Sequence, residues 1–252
     1  MKGRTQTLWY RSLDWNVRET PAWQWLNLWG LDAPLIALVW QDYLSRHYSS
    51  ELLPAGRAVL ALTVWAIYLT DRLLDSRHTA PQRETARHRF CRDHRGLVKV
   101  LLFLILCADM IVACVWVRPV VLEHGFFVMA GVVIYFALFP VTRRGAAAWK
   151  KPVAAFLFTA GVFVSASFMS WTAAAFFVLC LSNLLMIESW EHGREVKRGW
   201  LWMALLSVCC AGWFWPVSAS AAGLALLSLG EISTDARCVL ADVVLLSPVL
   251  FR

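Results

Sequence analysis

The chain has 252 residues, of which 59% are hydrophobic and 16% charged, with 15 tryptophans and a formal charge of +7. Soluble domains run at about 45–50% apolar and about 25% charged, which excludes a disordered chain and an ordinary water-facing domain. The basic residues cluster between long apolar runs, a distribution that speaks against nucleic acid and for a lipid bilayer.

Residues 1–30 contain polar residues throughout and lack the continuous apolar stretch of a signal peptide, so they read as a cytoplasmic or interfacial lead-in carrying Trp15, Trp23, Trp25 and Trp29. A bilayer span needs roughly 20 mostly apolar residues, somewhat fewer inside a bundle. By that measure the chain offers about nine spans, near 31–48, 55–75, 97–117, 120–140, 151–170, 172–189, 199–214, 216–230 and 236–251. The expected fold is therefore all-α: a polytopic membrane protein with a lead-in over 1–30 and one transmembrane helical domain over 31–252.

Most of the 24 basic residues fall on one side of that plan. The lead-in holds Lys2, Arg4, Arg11 and Arg18. The loop after the second span holds Arg72, Arg77, Arg83, Arg87, Arg89, Arg92, Arg95 and Lys99; the loop after the fourth holds Arg143, Arg144, Lys150 and Lys151; the loop after the sixth holds Arg194, Lys197 and Arg198. Because cytoplasmic loops retain Lys and Arg, these segments are expected to face the cytoplasm, in a plasma membrane of the bacterial inner type. Trp116, Trp149, Trp171, Trp190, Trp200, Trp202, Trp213 and Trp215 lie near span ends, where amphipathic rings favour the headgroup level.

The loop after the second span is expected to be ordered. Thr79, Pro81 and Gln82 form a helix start, and Glu84 is spaced to pair with Arg87 or His88. A basic face resting on anionic headgroups explains the same residues. The odd number of cysteines, mostly inside apolar runs, reads as small core hydrophobes rather than a disulfide framework. Among the intramembrane acids, Asp32 is expected to cap a helix start, and Asp42, Asp109 and Asp242 to be satisfied structural partners.

Two acidic clusters stand at span ends on the basic side. Asp71 and Asp75 are four apart, which puts both carboxylates on one helical face about one turn from each other. Like charges so placed are unfavourable unless a cation sits between them, and Mg²⁺ takes one or two carboxylates plus phosphate oxygens and water. The plainer alternative is a helix end reaching water with Arg72 and Arg77 as local counter-charges. Glu188, Glu191 and Glu195, spaced three and four apart after the sixth span, can likewise share a face. Two acidic helix ends beside basic loops are the parts needed to hold a diphosphate through bridging metal ions.

At these residues the chain resembles the UbiA-type intramembrane prenyltransferases, which have about nine transmembrane helices and two aspartate-rich cytoplasmic motifs after the second and sixth. Asp71-Arg-Leu-Leu-Asp75 resembles the second half of the first motif, Glu191-His-Gly-Arg-Glu195 occupies the place of the second, and the stretch from Tyr135 through Arg143-Arg144 and Trp149-Lys-Lys-Pro152 resembles the link between helices four and five. Ile67-Tyr68 stands where the family has Asn-Asp, and glutamates replace the usual aspartates of the second motif.

The resemblance implies a transfer of a polyprenyl group from an allylic diphosphate to a lipophilic, aromatic acceptor. Asp71, Asp75, Glu188, Glu191 and Glu195 would hold Mg²⁺, and Arg143, Arg144, Lys150, Lys151 or Arg194 would bind the diphosphate. The departures leave a second expectation open: a non-catalytic protein of the same fold that binds an isoprenoid or serves as a subunit of a membrane assembly. A transporter would need paired inverted halves, and none are visible.

Overall fold

Without water in reach, an apolar chain satisfies its backbone groups most directly within helices, and helix is what the apolar runs form. The structure, a computed structural model, describes residues 21–50, 53–76, 86–138, 147–164, 171–191, 199–230 and 232–251. The helix start at Thr79 and Gln82, Glu84, Trp15 and the basic residues of the first twenty positions lie outside the described residues. The described residues form eleven α-helices. They are α1 (Trp25–Leu28), α2 (Asp32–His47), α3 (Pro54–Asp75), α4 (Ala86–Asp93), α5 (Arg95–Trp116), α6 (Pro119–Leu138), α7 (Ala147–Val162), α8 (Trp171–Glu191), α9 (Gly199–Cys210), α10 (Trp215–Leu229) and α11 (Thr234–Val244). Each apolar run read from the sequence carries one of them.

Three of these helices, α5, α6 and α8, are long and apolar enough to cross a membrane. On α5 and α6 the apolar side chains point outward: Phe103, Met110, Phe126 and Phe127 are all exposed. Water would penalise such a surface heavily, whereas hydrocarbon accepts it at no cost.

The core lies among α2, α3, α7, α8, α9, α10 and α11, centred on Trp40. This side chain is fully buried, packs at 4.5 Å from the Phe176 ring and edge-on to Phe214, and donates its indole N–H to the Leu245 carbonyl at 2.7 Å. That hydrogen bond gives a buried polar tip its partner and ties α2 to the far end of the chain. A second cluster joins α3, α4 and α5 through Leu69, Leu73, Cys91, Val98 and Ile105.

Several expectations change on folding. The run 236–251 is not one continuous span: α11 ends at Val244 and a 3₁₀ helix, Ser247–Phe251, follows. Pro248 has no N–H to donate to the Val244 carbonyl four residues back, which accepts from the Ser220 hydroxyl instead, and the α-helix does not continue. Trp190 is buried under the Arg237 guanidinium, 5.4 Å from its ring centroid, so its ring packs against protein. Asp32 is the first residue of α2 and not its cap; no side chain caps that end. Asp42 is a satisfied partner as expected, paired with Arg46 and Arg57, whereas Asp109 is satisfied only in part: one oxygen accepts from the Thr63 hydroxyl at 2.7 Å and its buried Oδ1 has no hydrogen-bond partner among the described residues.

The short α1 ends in a Schellman motif. The Leu31 N–H bonds to the Leu26 carbonyl and the Gly30 N–H to that of Asn27, with Gly30 at φ +67°. A Cβ on Gly30 would come within 2.8 Å of the Tyr68 ring, so glycine is required there twice over. Arg72 completes the turn: buried on α3, it donates to the carbonyls of Asn27 at 2.5 Å and Leu28 at 2.9 Å, beneath its cation–π partner Tyr68. The expectation that Arg72 offsets Asp71 and Asp75 is thereby corrected, because its guanidinium closes the end of α1 instead.

Candidate functional site

Asp71 and Asp75 occupy the last two turns of α3, and both turn toward α7. The Lys150 ammonium donates to Asp75 Oδ1 at 3.0 Å and Oδ2 at 3.2 Å, and lies 3.0 Å from Asp71 Oδ1. Tyr135 of α6 donates its hydroxyl to the same Asp71 oxygen at 3.3 Å. One residue further along α7, Lys151 lies 2.6 Å from Glu188 Oε1 on α8. Glu191, at the end of α8, is paired with Arg87 of α4.

The geometry follows from helical pitch. Consecutive residues on a helix point about 100° apart, so adjacent lysines cannot serve the same neighbour. Lys150 reaches α3 and Lys151 reaches α8, and the first turn of α7 gathers both acidic helix ends into one charged rim. The rim is about three-quarters shielded from solvent at Lys150 and Lys151, so its ion pairs are stronger than exposed ones but still screened. His88, next to Arg87 on α4, is held neutral: burial first, then the positive charges of Arg87 and Arg72, push its pKa down to about 3.

Asp71 and Asp75 fit a divalent cation, since two carboxylates already converge on a single positive centre and Mg²⁺ asks for one or two such groups with water or phosphate completing its shell. Glu188 and Glu191 are engaged differently, each with its own cationic side chain. Among the described residues no group of three or more His, Cys, Asp or Glu is gathered around one point. Glu195, Arg194, Arg143 and Arg144 lie outside the described residues.

Two contributors have partners that the sequence does not indicate. Arg87 reads as a partner of Glu84 within its own loop, and Tyr135 as the start of the link between helices four and five; only the fold brings them to Glu191 and Asp71.

Deeper along α8 lies a second polar group. Asn27 donates its amide to Asp32 Oδ2 at 2.7 Å and reaches Asp242 Oδ2 at 3.5 Å, while Asn183 donates to Asp242 Oδ1 at 3.3 Å.

No family model matches this chain, and neither a curated protein nor a solved structure does. What the site can do chemically therefore follows from its own residues. The rim pairs oxygen ligands with ammonium groups at the end of an apolar bundle, which suits a polyanion attached to an apolar tail.

Proposed function

We propose that the chain is an integral membrane prenyltransferase of the UbiA type, with about nine spans, its N-terminus and charged rim at the cytoplasmic face, and a polyprenyl group passing from an allylic diphosphate to a lipophilic aromatic acceptor. The observation that carries this proposal is the convergence of Asp71 and Asp75 on Lys150, with Glu188 on the adjacent Lys151. In this reading Lys150 and Lys151 leave their carboxylates to bind diphosphate oxygens, as charge-assisted donors. Asp71 and Asp75 would hold Mg²⁺, which when bound makes diphosphate a better leaving group. Tyr135 keeps Asp71 oriented. The apolar helices hold the prenyl tail and keep water from an allylic centre that develops positive charge.

The test uses the purified protein with farnesyl and longer prenyl diphosphates, Mg²⁺ and a panel of phenolic and quinone-like acceptors, with diphosphate release as the readout. Release is expected in the wild type and should fall to background with chelator and in Asp75→Ala. If wild type and Asp75→Ala give the same background throughout the panel, this site does not catalyse transfer.

A second reading has its own support. Asp71, Asp75, Glu188 and Glu191 all have cationic partners within the chain, and Tyr68 stands at a motif position of the family as the packing partner of Arg72 and Gly30. A non-catalytic protein that binds an isoprenoid would retain such a rim as structure. It predicts prenyl diphosphate binding without release.

A further inference from the structure

The rim occupies one end of α3, and the other end borders a groove that the proposed transfer does not use. The groove runs between the second half of α2 and the first turns of α3, encloses about 380 Å³ and is open along one side. Leu35, Leu38 and Val39 form one wall, Ala58 and Ala61 the other.

Helical spacing accounts for its shape. Positions 35, 38, 39 and 42 share a face of α2, and 57, 58 and 61 a face of α3. Leucine and valine project from the first face while the alanines recede from the second, so the two packed helices leave a furrow between them. From Asp42 to Leu35 it extends about 10 Å along α2, which for its volume makes it about 6 Å wide. An α-helix with its side chains is about 10–12 Å across, so the furrow admits a single flexible chain and not another helix.

One end of the furrow is charged. Asp42 accepts from Arg46 at 2.7 Å through Oδ2 and is paired with Arg57 through Oδ1. The acid is only 13% exposed, whereas the arginine side chains remain 59% and 42% exposed. Two guanidiniums bring about ten N–H donors to a carboxylate with about four acceptor sites, so the two pairs leave donors over.

The charged end lies at a particular depth. Arg57 precedes Asp75 by 18 residues on α3, about 27 Å along the axis. The hydrocarbon core of a bilayer is about 30 Å thick. With the rim at one membrane face, Arg46 and Arg57 stand at the phosphate level of the opposite leaflet, and the furrow leads from there into hydrocarbon.

We propose that the furrow binds a phospholipid of that leaflet, with one acyl chain against Leu35, Val39 and Ala61 and the phosphate hydrogen-bonded to Arg46 and Arg57. Guanidinium suits this partner because two parallel N–H groups match two phosphate oxygens. The lipid would clamp α2 to α3 at the end remote from the rim. The assignment rests on the membrane placement of the proposed function and not on its catalysis.

The test titrates the delipidated full-length protein, in detergent, with dioleoyl phosphatidylglycerol, following thermal melting and, by native mass spectrometry, the lipid retained. The phospholipid is expected to raise the melting temperature saturably and to be retained by the chain. Dioleoylglycerol has the tails without the phosphate, and glycerol phosphate has the phosphate without the tails; each should need at least a ten-fold higher concentration. Arg57→Gln removes a donor group and Ala61→Phe fills the furrow, and each should raise the half-saturating concentration of phospholipid at least ten-fold. Asp42→Asn keeps both arginines and removes the competing carboxylate, so it should lower that concentration, a gain that damaged folding does not produce. Asp75→Ala, which should abolish diphosphate release, should leave the lipid response intact, so the two proposals fail separately. The proposal is overturned if phosphatidylglycerol does not stabilise the protein, if dioleoylglycerol or glycerol phosphate serves as well, or if wild type, Ala61→Phe and Asp42→Asn respond alike.

Discussion

The rim and the inner group solve the same problem in different ways. At the rim, Asp71, Asp75, Glu188 and Glu191 meet Lys150, Lys151 and Arg87, and charge is matched by side chains of the chain itself. Two turns deeper, Asp32 and Asp242 meet the amides of Asn27 and Asn183, and the direct contacts supply hydrogen bonds without supplying charge. Acids half in water tolerate exchange of partners: a lysine can release a carboxylate to a metal and take up phosphate. Acids far from water need a permanent compensation, which here comes from the two amides and from a hydrogen bond between the Asp32 and Asp242 carboxyl groups themselves. Under the proposed transfer the rim is the part that must exchange partners, whereas the inner group holds α1, α2, α8 and α11 together.

Arg87 touches both regions, through its ion pair with Glu191 and its field at Asp242, so its removal should give the largest effect. Arg87→Leu strands a Glu191 carboxylate that is only 16% exposed. Breaking a buried pair in this way costs about 3 kcal/mol, or a fall of about 6–12 °C in apparent melting temperature for a chain of this size. Arg87→Leu/Glu191→Leu should recover most of that loss. A single variant that melts like the wild type would mean that the pair contributes nothing to holding α4 on α8.

Gly30→Ala tests the inner group alone. The substitution puts a side chain at φ +67°, which costs about 1–2 kcal/mol, and drives a Cβ to within 2.8 Å of the Tyr68 ring. Because the turn at Gly30 presents Asn27 to both carboxylates, the variant should lose a few degrees in thermal melting. Diphosphate release, which the proposed function assigns to the rim, should be unchanged well below the melting temperature. A variant that melts like the wild type, or that loses release in proportion to stability, would erase the distinction between the two regions.

How much of this was visible in the sequence depends on distance along the chain. The apolar runs gave the helices because length and hydrophobicity are local properties. Asp71 and Asp75 were legible because a spacing of four is a helical turn, and Glu188 and Glu191 for the same reason at three. Their convergence on Lys150 and Lys151 was not legible, since nothing local says which face of α7 meets which neighbour. Arg72 shows the same limit: it stands beside Asp71 in sequence, yet its side chain points the other way, to the carbonyls that end α1. The inner group was the least visible part, because Asn27 and Asp242 are 215 residues apart and each looks like an ordinary capping or core residue where it stands.

The smallest effect concerns His88, a neutral neighbour of the rim. His88 is surrounded by Arg87, Arg72 and Lys150, which oppose its protonation, with Asp71 acting in the other direction. Its folded pKa of about 3 lies below the 6.5 of an exposed histidine. At pH 7 both folded and unfolded chains are nearly all neutral at this residue, and it contributes little. As the pH falls through 6.5 the unfolded chain binds a proton that the folded chain refuses, so stability drops, and the drop continues until the folded ring protonates near pH 3. Between pH 7 and pH 6 the loss from this residue is about 0.7 kcal/mol. Melting the wild type and His88→Gln at these two pH values isolates it. The wild type should lose about 2 °C more than the variant. Identical losses in wild type and His88→Gln would show that neither burial nor the neighbouring positive charges keep His88 from protonating in the folded chain.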